Sequence, residues 1–128
     1  MHLTSIWQGL ILRILVAEDD SYAATMYKVA LESNGHEVTV TFDGQECLRR
    51  YHEGTYEVVI LDYKLPALDG LKVAKQIRFA NPRQRIIFLS AFASEAIAEA
   101  LEDLGELIQI LPKPFEPAVL VELVEEIT

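Results

Sequence analysis

Apolar residues fall in short runs separated by stretches with helical spacing. Four runs are almost wholly apolar, which is typical of strands buried on both faces of a parallel sheet. These runs are Ile11–Ala17, Val58–Leu61, Ile86–Leu89 and Leu107–Leu111. Between Val38 and Phe42 apolar and polar residues alternate instead, which predicts an edge strand with Val38, Val40 and Phe42 on its buried side. The pattern therefore predicts five strands.

The segments that follow the strands carry apolar side chains three and four residues apart, which is typical of a helix face packed on a sheet. The apolar positions are Ala23, Tyr27, Ala30 and Leu31; Cys47, Leu48 and Tyr51; Leu71, Ala74 and Ile77; Ile97, Ala100, Leu101 and Leu104; and Val119, Leu120, Leu123, Val124 and Ile127. Strands and helices alternate throughout. Because crossovers between parallel strands are right-handed, the helices are expected on both faces of a five-stranded parallel sheet.

Turn and cap residues agree with these boundaries. Asp43 and Asp69 stand where helix N-caps are expected, since a carboxylate accepts hydrogen bonds from the first free N–H groups of a helix. Asn34-Gly35, Glu53-Gly54 and Leu104-Gly105 stand where helices are expected to end. No linker, low-complexity tract or internal repeat interrupts the order.

Polar residues follow four of the predicted strands, at the sheet edge where parallel α/β folds bind ligands. They are Glu18, Asp19 and Asp20, then Asp62, then Ser90, and finally Lys113. Taken singly, each has an ordinary explanation as a helix cap or a solvated side chain. Several carboxylates held together repel one another unless a cation or proton offsets them. Magnesium suits such an oxygen-rich site, whereas the absence of histidine there disfavours zinc.

Composition narrows the class of protein further. The chain has 128 residues, 51% of them hydrophobic, which predicts one compact domain. Eleven basic and 20 acidic residues give a net charge of −9, which argues against direct binding to nucleic acid. The lone Cys47 excludes an internal disulfide, and no apolar run spans a membrane, so we expect a cytoplasmic protein with no membrane partner. His2, His36 and His52 are expected to be ordinary solvated residues.

Four strings carry a resemblance to a known family: LRILVAEDD, VVILDYKLPALDG, IIFLSA and LPKPF. In this order they resemble the receiver domain of bacterial two-component response regulators over residues 12–128, which leaves residues 1–11 as a short N-terminal extension. The resemblance implies a flavodoxin-like, doubly wound (βα)5 fold with strand order 2-1-3-4-5.

The resemblance also implies a role for each polar strand-end residue. Asp62 is the phosphoacceptor, Glu18 and Asp19 organise Mg²⁺ together with Asp62 and the main-chain carbonyl of Lys64, Ser90 is the switch hydroxyl, and Lys113 binds the phosphoryl group. Asp20 is expected to be an N-cap and not a principal ligand. The Lys113–Pro114 bond is expected to be cis.

Two departures from the family pattern concern the last strand. Ile110 stands where the family usually has Tyr or Phe, three residues before the lysine. The spacing from Gly105 to Lys113 is one residue longer than usual, so a bulge or a shifted register is expected there. By family analogy, the side chains of Lys64 and Phe92 flank the path of the water that hydrolyses the acyl phosphate. Phe92 is also expected to replace the missing ring in switching.

The leading interpretation is a phosphorylatable receiver that takes a phosphoryl group from a sensor histidine kinase or a histidine phosphotransfer protein. It acts on an output domain or a downstream protein, and promotes only its own phosphorylation and dephosphorylation. One alternative is a pseudo-receiver that serves purely as a docking module. A flavodoxin-like or phosphatase enzyme is less favoured for two reasons. No glycine-rich phosphate loop follows the first strand, and no second acid stands two residues after Asp62, where residue 64 is lysine. The chain is either a stand-alone regulator or a receiver from a longer protein.

Overall fold

The computed structural model describes residues 10–91, 98, 101–105 and 107–126. The strands are β1 (Arg13–Ala17), β2 (Glu37–Thr41), β3 (Val58–Asp62), β4 (Arg85–Ser90) and β5 (Ile108–Pro112). The helices are α1 (Ser21–Ser33), α2 (Gly44–Glu53), α3 (Gly70–Ala80) and α4 (Pro117–Val124). The sheet is parallel in the order β2-β1-β3-β4-β5, so the predicted fold class is confirmed.

Helices cover both faces of this sheet and divide the core in two. One half, with α2 and α3, centres on Leu15, Cys47, Val59, Ile77 and Phe88. The other half, with α1 and α4, centres on Ile14, Leu31, Ile60, Leu89 and Leu120. Of the apolar positions predicted for the helix around Ile97–Leu104, Ile97 and Ala100 lie outside the described residues, but Leu101 and Leu104 are buried in the first half, as their spacing predicts.

The predicted N-caps are confirmed. The Asp20 carboxylate accepts hydrogen bonds from the N–H groups of Tyr22 and Ala23 at the start of α1. Asp43 caps α2 and Asp69 caps α3 in the same way. These bonds fix where each helix begins, and so they help to fix the loops between strand and helix that carry the acidic residues.

The structure corrects several expectations about burial, and Ile11 and Leu107, predicted within buried strands, are exposed just before β1 and β5. Strand β5 is an edge strand and is not buried on both faces: Leu111 is buried, but Ile110 is 38% exposed. Its pairing with β4 runs without interruption from Ile108 to Pro112, so the expected bulge is not seen. Phe42 is exposed, because β2 ends at Thr41 and the chain turns towards the cap of α2. Val119, expected on the buried face of α4, is also exposed.

His36 is buried, which corrects the expectation of a solvated residue. Its Nδ1 accepts a hydrogen bond of 3.2 Å from the N–H of Leu12, and its Nε2 lies 2.7 Å from Glu125 Oε2. Because Nδ1 accepts, the ring proton is on Nε2 and is donated to the carboxylate. His36 therefore ties the start of β1 to the end of α4. His52 is exposed as expected, and His2 lies outside the described residues.

Candidate functional site

Three carboxylates meet at the carboxyl edge of the sheet. Glu18 and Asp19 follow β1, and Asp62 is the last residue of β3, the neighbouring strand. One carboxylate oxygen from each lies within 4.8 Å of the others. Glu18 and Asp62 are buried, and Asp19 is exposed. Two buried carboxylates at this separation need a nearby cation or a proton to offset their repulsion.

Lys113 supplies a positive charge from the far side of the site. Its Nζ lies 2.8 Å from Glu18 Oε1 and 3.1 Å from Asp62 Oδ2. Its main-chain N–H donates a 2.8 Å hydrogen bond to the carbonyl of Ser90 at the end of β4, and the following bond to Pro114 is cis, as the sequence resemblance implies. The ends of four strands therefore meet in one polar cluster.

The electrostatics of the cluster follow from burial and from these contacts. Burial raises the pKa of Glu18 above its usual range, and Asp62 raises it further, although Lys113 acts in the opposite direction. Burial by itself lowers the pKa of Lys113, but the hydrogen bond to Glu18 and the charge of Asp62 outweigh it, so the pKa is raised overall. Lys113 is therefore charged at neutral pH.

Tyr27 is a member of the site that the sequence pattern indicates only as a core residue. Its ring is buried and stacks on Phe115 with 5.5 Å between the ring centroids, and its hydroxyl lies 3.5 Å from Glu18 Oε1. Burial, together with the charges of Glu18 and Asp62, raises the pKa of the Tyr27 hydroxyl to about 12. A buried tyrosine hydroxyl needs a polar partner. In the sequence, a tyrosine on the buried face of a helix is therefore the only sign that its hydroxyl has a polar partner in the site.

A cavity of about 440 Å³ opens beside the acidic residues. It is lined by Asp19, Tyr63, Lys64, Leu65, Pro66 and Asp69. The loop between β3 and α3 forms its wall and folds back tightly at Gly70, whose N–H donates to the carbonyl of Tyr63. A Cβ at Gly70 would lie 2.1 Å from the carbonyl oxygen of Asp62, so only glycine fits without displacing the backbone.

The remaining predicted site residues have different outcomes. Ser90 is buried at the end of β4, one residue beyond the pair formed by Asp62 and Leu89. The Lys64 side chain is exposed at the cavity, and Asp20 is occupied as the cap of α1. Phe92, expected to flank the water path and to replace the missing ring, lies outside the described residues.

The donor set fits magnesium. Glu18, Asp19 and Asp62 present only oxygen atoms, and a hard, strongly hydrated cation prefers carboxylates and water. Neither histidine nor cysteine belongs to the acidic cluster found among the described residues, which is unlike a zinc site. The open cavity beside Asp19 leaves room for water on such an ion.

Comparison with known proteins agrees with the fold. A family model described as the response regulator receiver domain matches residues 14–125. The receiver domain of the Francisella response regulator 1452 superposes with a TM-score of 0.80 at 35% identity, covering 88% of this chain and 93% of that one. The response regulator TrrA from Thermotoga maritima, solved in complex with Mg²⁺ and BeF, gives a TM-score of 0.79 at 30% identity over 89% of this chain and 96% of that one.

This chain belongs to the response regulator receiver domain family. Among curated relatives, the transcriptional regulatory protein DltR of Streptococcus agalactiae is 36% identical over 82% of this chain and 46% of its own length. The response regulator receiver protein CpdR of Brucella abortus is 31% identical over 89% of this chain and 94% of its own. The chain thus spans about half the length of DltR. Within the described residues, no helix is long and apolar enough to cross a membrane.

Proposed function

We propose that this receiver accepts a phosphoryl group on Asp62. The observation that carries the proposal is the setting of the Asp62 carboxylate: it ends β3, lies in the three-acid cluster, and is 3.1 Å from the Lys113 ammonium. Glu18, Asp19, Asp62 and the Lys64 carbonyl are the groups proposed to hold Mg²⁺. When bound, the ion would supply positive charge to the phosphoryl oxygens.

The chemistry is a transfer between two nucleophiles. An oxygen of the Asp62 carboxylate attacks phosphorus as the bond from phosphorus to the imidazole nitrogen of a phosphohistidine breaks, and the electron pair leaves on that nitrogen. The product is an acyl phosphate on Asp62. Lys113 requires little reorganisation to act here, because its ammonium already contacts the attacking carboxylate and can offset charge on the phosphoryl oxygens.

A phosphoryl group on Asp62 would also redistribute the contacts of its neighbours. Lys113 now divides its hydrogen bonds between Glu18 and Asp62, and phosphoryl oxygens would offer it new acceptors. Ser90 at the end of β4 is proposed as the switch hydroxyl that turns towards the phosphoryl group. Ile110 has no aromatic ring that could follow the movement of Ser90. We therefore propose that the conformational change on phosphorylation passes through the segment after Ser90.

The proposed phosphoryl donor is a sensor histidine kinase or a histidine phosphotransfer protein, and the proposed target is an output domain or a downstream protein. DltR and the alkaline phosphatase synthesis regulator PhoP of Bacillus subtilis, 32% identical over 105 residues, are named as transcriptional regulatory proteins. This chain covers less than half of each, which supports an output module in such relatives. CpdR, which it covers almost completely, supports a stand-alone arrangement equally.

Incubation with acetyl phosphate and Mg²⁺, followed by intact-protein mass spectrometry, tests the proposal. We expect the wild-type chain to gain one phosphoryl group and Asp62→Asn to gain none. Asp69→Asn is the matched control, since Asp69 lines the same cavity and asparagine also caps helices; it should be modified like the wild type. An unmodified wild type would favour the docking-only pseudo-receiver, and modification that persists in Asp62→Asn would place the acceptor elsewhere.

A further inference from the structure

The outer face of α3 carries a basic and aromatic stripe. Lys72, Lys75 and Phe79 lie three and four residues apart, so they project from one side of the helix. All three are exposed, and the Phe79 ring is 92% exposed. Among the described residues, no carboxylate lies within ion-pair distance of either lysine. We call these three residues the α3 stripe.

A groove beside Phe79 gives this stripe an apolar depression. It has a volume of about 300 Å³ and is lined by His52, Lys75, Gln76, Phe79 and Ala80. The groove lies between the outer surfaces of α2 and α3, which pack side by side on the sheet. A partner that fits it needs a small apolar side chain flanked by negative charges.

A stripe of that chemistry is present on the same chain. Three residues at the end of the chain have the same three- and four-residue spacing as the α3 stripe. Val119 and Glu122 lie on α4, and Glu126 lies two residues beyond its end. All three are exposed, and neither glutamate lies within ion-pair distance of a basic group among the described residues, although the charge of Arg85 acts on Glu126. Lys113 is the only basic residue after Ser90 in the sequence, so this part of the molecule is strongly acidic. We call these three residues the α4 stripe.

The two stripes match when their helices run antiparallel. Phe79 then faces Val119, Lys75 faces Glu122, and Lys72 faces Glu126, so that one apolar pair and two opposite-charge pairs form along a single contact. We propose that the α3 stripe of one copy of this chain docks on the α4 stripe of a second copy. Burial of Phe79 supplies attraction, and the lysine–glutamate pairs set the register and make the contact sensitive to salt.

The fold determines the geometry of such an assembly. Helix α3 covers one face of the sheet and α4 covers the other, so their outer stripes point away from each other. Two copies therefore cannot satisfy both contacts reciprocally. The contact is head-to-tail and leaves one free stripe at each end, which allows further copies to add. The proposal requires neither Mg²⁺ nor phosphorylation, so it stands or fails independently of the role of Asp62.

Sedimentation velocity tests the contact through a reciprocal charge exchange. At about 0.05 M salt the wild-type weight-average mass should rise above 14.4 kDa with concentration, and it should return to that value at about 0.5 M. Lys72→Glu/Lys75→Glu and Glu122→Lys/Glu126→Lys should each remain monomeric alone, because their stripes then carry like charges. An equimolar mixture of the two variants should associate again, since opposite charges face each other once more.

Two further variants separate this contact from general charge effects. Phe79→Ala should weaken wild-type association about tenfold. Lys75→Glu alone should weaken association, whereas Lys28→Glu, at an exposed position on α1, makes the same change in net charge and should leave association unchanged. The proposal is overturned if the wild-type chain stays monomeric at every concentration, if the mixture fails to associate, or if Lys28→Glu weakens association as much as Lys75→Glu.

Discussion

The ammonium of Lys113 allows two buried carboxylates to share one end of the sheet, so its removal should destabilise the fold. Its Nζ is 2.8 Å from Glu18 Oε1 and 3.1 Å from Asp62 Oδ2. Lys113→Met keeps a long unbranched side chain, and therefore most of the packing of the lysine stem, while it deletes the charge. Metal-free buffer keeps any other cation from replacing the ammonium.

Two limits set how much stability Lys113→Met should lose. Removal of one partner from a buried ion pair costs about 3–5 kcal/mol, and the 25% exposure of the Lys113 side chain points to the lower end of that range. Glu18 sets the second limit, because it can take up a proton and thereby avoid an unpaired buried charge. From an ordinary pKa of 4.5, its protonation costs about 3 kcal/mol at pH 7 and about 1 kcal/mol at about pH 5.5.

The sign of the pH dependence follows from proton linkage. Lys113 lowers the pKa of Glu18 in the folded wild-type chain, so its loss raises that pKa further above the unfolded value. In the variant the folded state then binds more protons than the unfolded state over the pH range between these two pKa values. The variant must therefore lose stability as pH rises through that range, and its deficit against wild type must shrink as pH falls.

Urea unfolding followed by circular dichroism measures the difference. We expect Lys113→Met to lower the free energy of unfolding by about 3 kcal/mol at pH 7 and by about 1 kcal/mol at about pH 5.5. Lys28→Met, which removes an exposed charge from α1, should cost under about 0.5 kcal/mol at both pH values. A loss at Lys113 that is the same at both pH values, or no larger than at Lys28, would contradict a role of the ammonium in holding the two carboxylates.

Three further predictions concern the neighbouring structure. Asp20→Ala should cost about 1 kcal/mol of stability through the lost cap yet retain Mg²⁺ binding, whereas Asp19→Ala should abolish that binding; calorimetric titration of both variants would show the reverse if the acid pair is misplaced. His36→Leu should cost about 1–3 kcal/mol in urea unfolding, because the partly buried N–H of Leu12 and the Glu125 carboxylate lose their partner, and Glu125→Gln should cost less than half as much. Gly70→Ala should lower the melting temperature and slow phosphorylation, since its Cβ displaces the strand that precedes the loop.

Hydrophobic periodicity determines the class of fold from the sequence alone. A strand buried on both faces must be apolar throughout, and a helix on a sheet must be apolar at every third or fourth position, so β1, β3, β4 and the helices α1 and α3 are all predicted. Strand ends in a parallel sheet share one edge, which is why the order of the residues suffices to group the acids after β1 and β3 with Lys113. Helix caps are likewise local, and Asp20, Asp43 and Asp69 all cap helices as predicted.

Only the tertiary structure decides which residues meet across long sequence distances. The turn before His36 predicts a solvated side chain. Instead the side chain is buried, and it forms hydrogen bonds with the N–H of Leu12 and the carboxylate of Glu125. The hydroxyl of Tyr27 reaches Glu18 for the same reason, since helical spacing identifies the buried face of α1 but not the polar atom that faces it. Exposure also depends on what covers an element: β5 lies at the sheet edge with Ile110 partly uncovered, which its apolar sequence alone does not indicate. Hydrophobic periodicity indicates which face of each helix or strand is buried. Which residues far apart in sequence contact each other depends on how these elements pack.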